Sequence, residues 1–391
     1  RSRAPAGQSE PVQGRLLACA KPRRQCRMTQ VPGRHRLPAL LALCLGIALL
    51  PACESPRTPE QVRAELLRKL PATLHDRDGW ARDIQAAFAA QELEPSTSNL
   101  CAVLAVVEQE STYRVDPPVP GLAQIARAEI DRRADKLHVP HFMVEAALRF
   151  HSPDGRTYAQ RIGALRTEQE LSALFEEMTH RVPMGQRLFA RFNPVRTGGP
   201  MQVRIDFAER HLRGYPYPVT GSIRAEVFSR RGGLYFGIKH LLGYPVDYPR
   251  PIYRFADFNA GWHASRNAAF QQAAAIASGT KLVRDGDLLA PGAPMDRPGA
   301  TEAALRGIAP QLRMDAAGIR SALARGDSAA FADTELYRRV FAIADGKGSG
   351  KPVARARVPD IALDSPKITR KLTTAWFAER VNARWNACMA R

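Results

Sequence analysis

The sequence has few aromatic residues and no apolar run long enough to span a membrane. Phe, Trp and Tyr make up 7% of the 391 residues, so an array of aromatic binding platforms is not expected. The apolar stretch 37–50 covers 14 residues, whereas a membrane-spanning helix needs about 20. The hydrophobic fraction of 45% suits a soluble globular protein with a large core.

Acidic residues are also scarce. There are 38 Asp and Glu against 57 Lys and Arg, a formal net charge of +19. A basic surface attracts polyanions of several kinds, including nucleic acids, anionic cell-wall polymers and lipid headgroups. The sequence has no zinc-finger spacing, no RNP-like motif and no basic helix with interleaved aromatics. Nucleic acid is therefore not the expected partner.

The first 52 residues are expected to lie outside the folded domain. Residues 1–27 hold seven Lys and Arg against one Glu, and we interpret them as translated upstream sequence before a start at Met28. In 28–52 a basic stretch is followed by an apolar stretch, the pattern of a secretory signal peptide. This segment resembles a bacterial lipoprotein signal, with Leu50-Pro51-Ala52-Cys53 as the lipobox. An uncleaved membrane anchor is the alternative.

The lipoprotein resemblance implies a location. Cleavage before Cys53 and acylation of its thiol would leave a lipid-anchored protein on the outer membrane, facing the periplasm. Several acyl chains on one residue give stable anchoring, whereas a single chain is marginal. Residues 53–60 would then be a short linker between the membrane and the folded domain.

The cysteines that remain in such a mature chain are Cys101 and Cys388. A lone pair in the oxidising periplasm can form a disulfide, which would tie the C-terminal helix to the helix that holds Cys101. Two buried free thiols are the alternative, and the sequence leaves both open.

Helical periodicity dominates the rest of the chain. Apolar residues recur every three or four positions, and no alternating series predicts a sheet. The predicted fold class is mostly α. A Gly- and Pro-rich linker at 290–299 separates a main helical domain, 61–290, from a C-terminal helical extension, 300–391. Within the main domain, helices are predicted over 201–213 and 252–278.

One carboxylate stands out at the end of an apolar helix. The segment 100–107 is wholly apolar, and Val103, Val107 and Glu110 share one helix face by their spacing. A carboxylate on a buried helix is costly unless it is paired or its pKa is raised, and a raised pKa suits a general acid. Glu110 is therefore the candidate catalytic residue. Glu108 is the rival, which could instead pair with an arginine.

Three short motifs follow one another along the chain. They are Glu110-Ser111-Thr112-Tyr113, Gly198-Gly199-Pro200-Met201-Gln202-Val203 and Ala256-Asp257-Phe258-Asn259-Ala260-Gly261. In this order they resemble the catalytic-helix motif, the Gly-Leu-Met-Gln-Ile segment and the Ala-x-Tyr-Asn-Ala-Gly segment of lytic transglycosylases of the lysozyme superfamily. The resemblance implies a lysozyme-like helical domain with a catalytic Glu110. It implies substrate-binding or supporting roles for Ser111, Met201, Gln202, Phe258, Asn259 and Gly261.

The whole of 53–391 also resembles an uncharacterised family of Gram-negative lipoproteins, a domain of unknown function. The chain departs from the transglycosylase pattern in three ways. Glu110 and Gln202 are 92 positions apart, far more than in that superfamily, which implies a helical insertion at about 122–192. Gly121-Leu-Ala-Gln124-Ile125, inside this gap, is a rival second motif. Phe258 replaces the usual tyrosine, and Pro200 replaces leucine.

The resemblance implies that a single glutamate cleaves the β-1,4 bond between N-acetylmuramic acid and N-acetylglucosamine in peptidoglycan glycan strands. The product would be a 1,6-anhydro sugar, and no metal or cofactor is expected. Two alternatives remain. One is a catalytically inactive peptidoglycan-binding or scaffold lipoprotein with the same fold. The other is a muramidase that uses water, for which Asp257 is the only evident second carboxylate. The sequence does not indicate the oligomeric state.

Overall fold

A computed structural model describes residues 57–181, 193–348, 350–363 and 371–391. The predicted upstream segment 1–27, the signal segment 28–52, Cys53 and the end of the predicted insertion, 182–192, lie outside the described residues. The helices are α1 Pro59–Lys69, α2 Arg77–Ala90, α3 Thr97–Ser111, α4 Leu122–Lys136, α5 His141–Leu148, α6 Tyr158–Gly163, α7 Glu168–Arg181, α8 Ile205–Arg210, α9 Ile223–Val227, α10 Arg230–Leu242, α11 Pro251–Ala260, α12 Ala264–Ser278, α13 Ala300–Gly307, α14 Ala309–Leu312, α15 Ala316–Leu323, α16 Glu335–Lys347 and α17 Thr374–Met389.

The mostly α fold class is confirmed, because the described residues add to these helices a 3-10 helix at Ala329–Phe331, two isolated bridges and two short hairpins. One pairs β1 Thr197–Gly198 with β2 Val203–Arg204, and the other pairs β3 Ala362–Leu363 with β4 Leu372–Thr373, both antiparallel. Among the described residues, no helix combines the length and the apolar character needed to cross a membrane.

The first core surrounds α3. This helix begins at the N-cap Ser96, whose side chain accepts a hydrogen bond from the Asn99 amide, and every residue from 100 to 107 is buried. A helix that is apolar all round must be covered on all sides. Helices α10 and α17 contact it directly, and α1, α2, α8, α9, α11 and the β1–β2 hairpin contribute further apolar residues.

The C-terminal helix α17 closes this first core. Phe377, Ala378 and Val381 are buried in it, and the helix contacts both α3 and α11. A disulfide joins Cys101 of α3 to Cys388 of α17, with 5.6 Å between the Cα atoms. Of the two alternatives that the sequence leaves open for these cysteines, the structure therefore shows the disulfide.

A second core is formed by α12 to α16, with Phe270, Phe331 and Phe341 at its centre. The segment 300–347 packs here against α12, whereas α17 packs in the first core. The C-terminal extension that the sequence delimits at 300–391 is thus divided between two cores. Contact between α11 and α12 connects the two cores.

The described part of the predicted insertion has a small core of its own, built by α4 to α7 around Leu122, Leu148, Ile162 and Leu174. This insertion core lies between α3 and the β1–β2 hairpin in the sequence. It accounts for the long separation between the first two motifs.

Two helix predictions were wrong in detail. Residues 201–213 begin in the turn of the β1–β2 hairpin and its return strand, and they are helical only over Ile205–Arg210, because Gly199 and Gln202 have positive φ angles of 72° and 48°. The predicted helix 252–278 is broken at Gly261, which has φ 114° and ψ 157°. That backbone conformation is open essentially only to glycine.

Candidate functional site

Glu110 lies in the last turn of α3 and is half-buried. Burial disfavours the charged form of its carboxyl and raises its pKa from 4.5 to about 8. Within the described residues this carboxyl has neither a hydrogen-bond partner nor an ion-pair partner. At neutral pH it is therefore mostly protonated and can donate a proton.

Glu108, the rival acid, has a different environment. Its carboxylate forms an ion pair with Arg384 of α17 at 3.6 Å, and its side chain is 39% exposed. The two glutamates of α3 thus differ in their partners, since Glu108 is paired with Arg384 and Glu110 has no partner among the described residues.

The residues that follow Glu110 are held by their own helix. The Ser111 hydroxyl donates to the Val107 carbonyl at 3.1 Å, so it does not orient the Glu110 carboxyl. The Tyr113 hydroxyl donates to the Leu104 carbonyl at 3.2 Å, and its ring meets the edge of Trp80. These contacts fix the direction in which the chain leaves α3.

The second motif forms the turn of the β1–β2 hairpin. Met201 is fully buried, and its side chain occupies the space beside Gly237 of α10, where any Cβ would come within 2.5 Å of it. Gln202 is half-buried and bonds within the turn. Its amide oxygen accepts from the Thr197 hydroxyl at 3.1 Å, and its amide nitrogen donates to the Gly199 carbonyl at 3.3 Å. Gln202 therefore stabilises the hairpin itself.

The third motif forms the end of α11. Phe258 is buried, and its ring packs against His240 and Phe377. Asn259 is exposed, and its amide oxygen accepts from the Thr374 hydroxyl at 2.7 Å. Gly261 then ends the helix. The Asn259 amide nitrogen has no hydrogen-bond partner in the described part of the chain.

Helix α10 brings the three motif-bearing elements together. It contacts α3, strand β2 and α11. Gly233 lets the hairpin lie directly on it, since a Cβ there would stand 2.4 Å from the Pro200 side chain. The rival motif at Gly121 to Ile125 is instead the start of α4, where Gln124 lines a groove of about 480 Å³ in the insertion core.

His240 of α10 is a residue that the sequence reasoning missed. Its Nε2 donates to the Phe258 carbonyl at 3.1 Å, and its own carbonyl accepts from the Trp262 indole at 2.7 Å. Burial lowers its pKa to about 4, so the ring is neutral, and its Nδ1 is buried without a partner among the described residues. It fixes the backbone next to Asn259. Nothing in the local sequence distinguishes this histidine from an ordinary core residue.

Asp257, the candidate second carboxylate, lies in the interior of the protein. It is fully buried and accepts hydrogen bonds from Tyr244 at 2.9 Å, Tyr248 at 2.7 Å and the Ser265 amide at 2.6 Å. Burial raises its pKa despite these donors. The described residues contain no group of three or more His, Cys, Asp or Glu side chains that could hold a metal ion.

Two of three comparisons with known proteins found a match. Residues 73–391 match the family described as protein of unknown function DUF1615. The chain belongs to the DUF1615 family. It is similar to uncharacterized protein YaiW of Escherichia coli (strain K12), with 52% identity over 354 residues, which cover 88% of this chain and 96% of YaiW. No solved structure matches the chain. The DUF1615 match includes all three motifs and both disulfide cysteines.

Proposed function

We propose that this DUF1615 protein is a peptidoglycan lytic transglycosylase with Glu110 as its single catalytic carboxyl. The observation that carries the proposal is the Glu110 carboxyl itself, which is desolvated, unpaired among the described residues and protonated near neutral pH. Structural carboxylates at such burial normally have a cation or several donors beside them. The lysozyme-like fold of the first core is part of the proposal.

The chemistry needs both protonation states of one group. Protonated Glu110 donates its proton to the glycosidic oxygen between N-acetylmuramic acid and N-acetylglucosamine, and the bond to that oxygen breaks. The resulting carboxylate then accepts the proton of the muramyl C6 hydroxyl, which attacks the anomeric carbon and closes the 1,6-anhydro ring. A pKa of about 8 allows both steps near neutral pH. Asn259 could donate its free amide hydrogens to the sugar.

The proposal includes a location. Cleavage of the signal segment and acylation of Cys53 would hold the protein on the outer membrane, facing the periplasm and its glycan strands. Mass spectrometry of the mature N-terminus tests this part separately. An unacylated N-terminus other than Cys53 would refute the anchor without affecting the site.

Digestion of purified peptidoglycan tests the activity. We expect muropeptides with 1,6-anhydro ends, each lighter by one water than the hydrolytic product, and we expect none from Glu110→Gln. Hydrolytic, reducing-end products would show a muramidase instead. The hydrogen bonds of the buried Asp257 argue against a muramidase, because the second carboxylate of such an enzyme must reach the sugar.

A second candidate function is an inactive peptidoglycan-binding lipoprotein. The observation that favours it is Phe258, which supplies no hydroxyl at the motif position where the transglycosylases have tyrosine. It is buried against Phe377 in an all-carbon contact. Binding to peptidoglycan sacculi without release of any muropeptide would support this candidate over the first.

A further inference from the structure

A pocket of about 160 Å³ lies at the start of α3, at the other end of that helix from Glu110. Its polar and aromatic lining comes from three elements, with Ser98 and Asn99 from α3, Tyr248, Arg250 and Arg254 from α11 and the loop before it, and Trp385 from α17. A water molecule takes about 30 Å³ of liquid volume. The pocket is therefore large enough for a small polar group.

The charged side chains that line this pocket are all positive. Two arginines line it, and no aspartate or glutamate does. Arg254 Nη1 donates to the Leu241 carbonyl at 3.0 Å, and Arg250 Nη2 donates to the Tyr253 hydroxyl at 2.9 Å. Neither arginine has a carboxylate partner in the part of the chain that the structure describes. Each guanidinium keeps further donors, and guanidinium groups bind phosphate in a bidentate manner.

The pocket is also close to the point where the chain enters the fold. Arg57 Nη1 donates to the Pro95 carbonyl at 2.7 Å, and Pro95 directly precedes the N-cap of α3. Cys53 is only four residues before Arg57, and four extended residues span at most about 14 Å. Helix α3 itself is about 22 Å long. The pocket is therefore at the end of α3 that is bonded to Arg57, the first described residue, and Glu110 is at the far end.

We propose that this pocket binds the phosphate of a lipid headgroup in the membrane that carries the anchor. The proposal rests on the acylation of Cys53 that is part of the proposed function. Tyr248 and Trp385 contribute their rings to the pocket wall, since the Tyr248 hydroxyl donates to Asp257 and the Trp385 indole donates to the Ser98 carbonyl at 3.0 Å. A headgroup held at the start of α3 would direct the Glu110 end of the helix away from the bilayer, towards the wall.

Titration of the full chain in non-ionic detergent with dihexanoyl phosphatidylglycerol, a soluble short-chain lipid, tests the proposal. Calorimetry gives the affinity, and tryptophan fluorescence reports on Trp385 together with the other three tryptophans. We expect saturable binding that weakens about tenfold in Arg250→Gln and about a hundredfold in Arg250→Gln with Arg254→Gln, since each change removes one charge-assisted contact. Arg325→Gln removes an equal charge from an exposed site and should change the affinity less than about twofold.

Arg254 bonds to the backbone, so the double variant could be unstable. In that case the single variant Arg250→Gln, at an exposed position, is sufficient for the test, and its thermal melt checks that it is folded. Two further probes identify the source of the anion. Inorganic phosphate bound as tightly as the lipid would overturn the lipid assignment, and so would tighter binding of a diaminopimelate-containing stem peptide. Unchanged affinity in Arg250→Gln would overturn the site. None of these measurements depends on acylation of Cys53 or on cleavage by Glu110.

Discussion

The first core holds the half-buried Glu110 and the second core holds the buried Glu302, and the surroundings of the two carboxyls are opposite. Glu302 of α13 has no exposed surface, yet Arg320 and Arg306 both donate to its carboxylate. Burial raises the pKa of Glu302, but the hydrogen bonds from these arginines outweigh it, and the net pKa is lowered. In the first core, burial is the only cause that shifts the pKa of Glu110, and it raises this pKa to about 8.

The difference teaches how to separate a structural carboxylate from a functional one. A buried charge that serves stability is compensated, because an unpaired one costs several kcal/mol. Glu302 follows this rule, as do Glu226 with Arg231 and Glu65 with Lys69. Glu110 is the exception among these buried or half-buried glutamates. Because it is protonated at neutral pH, Glu110 cannot stabilise the fold through an ion pair, but it can transfer its proton.

Loss of the Glu110 carboxyl should have the largest effect. Glu110→Gln keeps the shape and removes the proton donor, so we expect the rate of anhydro-muropeptide release to fall by at least about 100-fold. The thermal melt at neutral pH should be raised, because no ion pair is broken and the variant has no buried carboxyl to ionise. Glu108→Gln is the matched control and should keep most of the activity, since it breaks only the partly exposed pair with Arg384. Full activity in Glu110→Gln would remove Glu110 from the mechanism.

Glu302→Gln should reverse that pattern. It leaves Arg306 and Arg320 without their shared carboxylate in a buried place, so we expect a loss of about 3–5 kcal/mol in the free energy of unfolding. The protein that remains folded should keep its activity, because the second core contains no motif residue. Glu335→Gln, which breaks exposed pairs with Arg338 and Arg339, should cost less than about 1 kcal/mol. Equal losses from the two variants would contradict the contrast between the cores.

Some of this arrangement could be predicted from the sequence. The apolar run 100–107 predicted a buried helix ending at Glu110, and the gap before Gln202 predicted an insertion, because both depend on local composition and spacing. The hairpin at 197–204 could not be predicted in the same way. It depends on a positive φ at Gln202, a non-glycine residue, and on the close approach of Gly233 and Gly237 to Pro200 and Met201. The same limit applies to Glu108 and Glu110. Only the distant Arg384 distinguishes them, and its position follows from the packing of α17 on α3.

Removal of the disulfide should affect only the first core. Cys101 and Cys388 are 287 positions apart in the sequence, so the disulfide restricts the conformations that the unfolded chain can adopt. We expect Cys101→Ala with Cys388→Ala to cost about 3–5 kcal/mol. In hydrogen exchange, protection should fall along α3 and α17 and stay unchanged in α12 to α16. Reduction of the unmodified protein by dithiothreitol is the control and should reproduce the pattern. A uniform loss of protection would show that the two cores unfold as one unit.

The pH dependence of stability should also differ between the cores. The folded-state pKa of Glu110 is above the 4.5 of an ordinary glutamate, so the stability it contributes is present below about pH 4.5 and is lost as the pH rises through about 8. The folded-state pKa of Glu302 is lowered, so its contribution is present above pH 4.5 and is lost as the pH falls. Melting temperatures of the unmodified protein and Glu110→Gln should therefore diverge between about pH 5 and about pH 9, in favour of the variant. Parallel curves would mean that Glu110 titrates normally.

Gly261→Ala should give the smallest effect, at the junction between the cores. Gly261 ends α11 with φ 114° and ψ 157°, and α12 of the second core begins three residues later. No atom beyond the neighbouring residues lies within 4 Å of the site that a Cβ would occupy, so the cost is backbone strain of about 1–2 kcal/mol rather than a clash. Because the same residue sets the direction of Asn259, activity should fall by more than stability does. Gly307→Ala, at a position without positive φ or close neighbours, should be neutral or slightly stabilising. A loss confined to stability would show that Gly261 joins the cores without shaping the site.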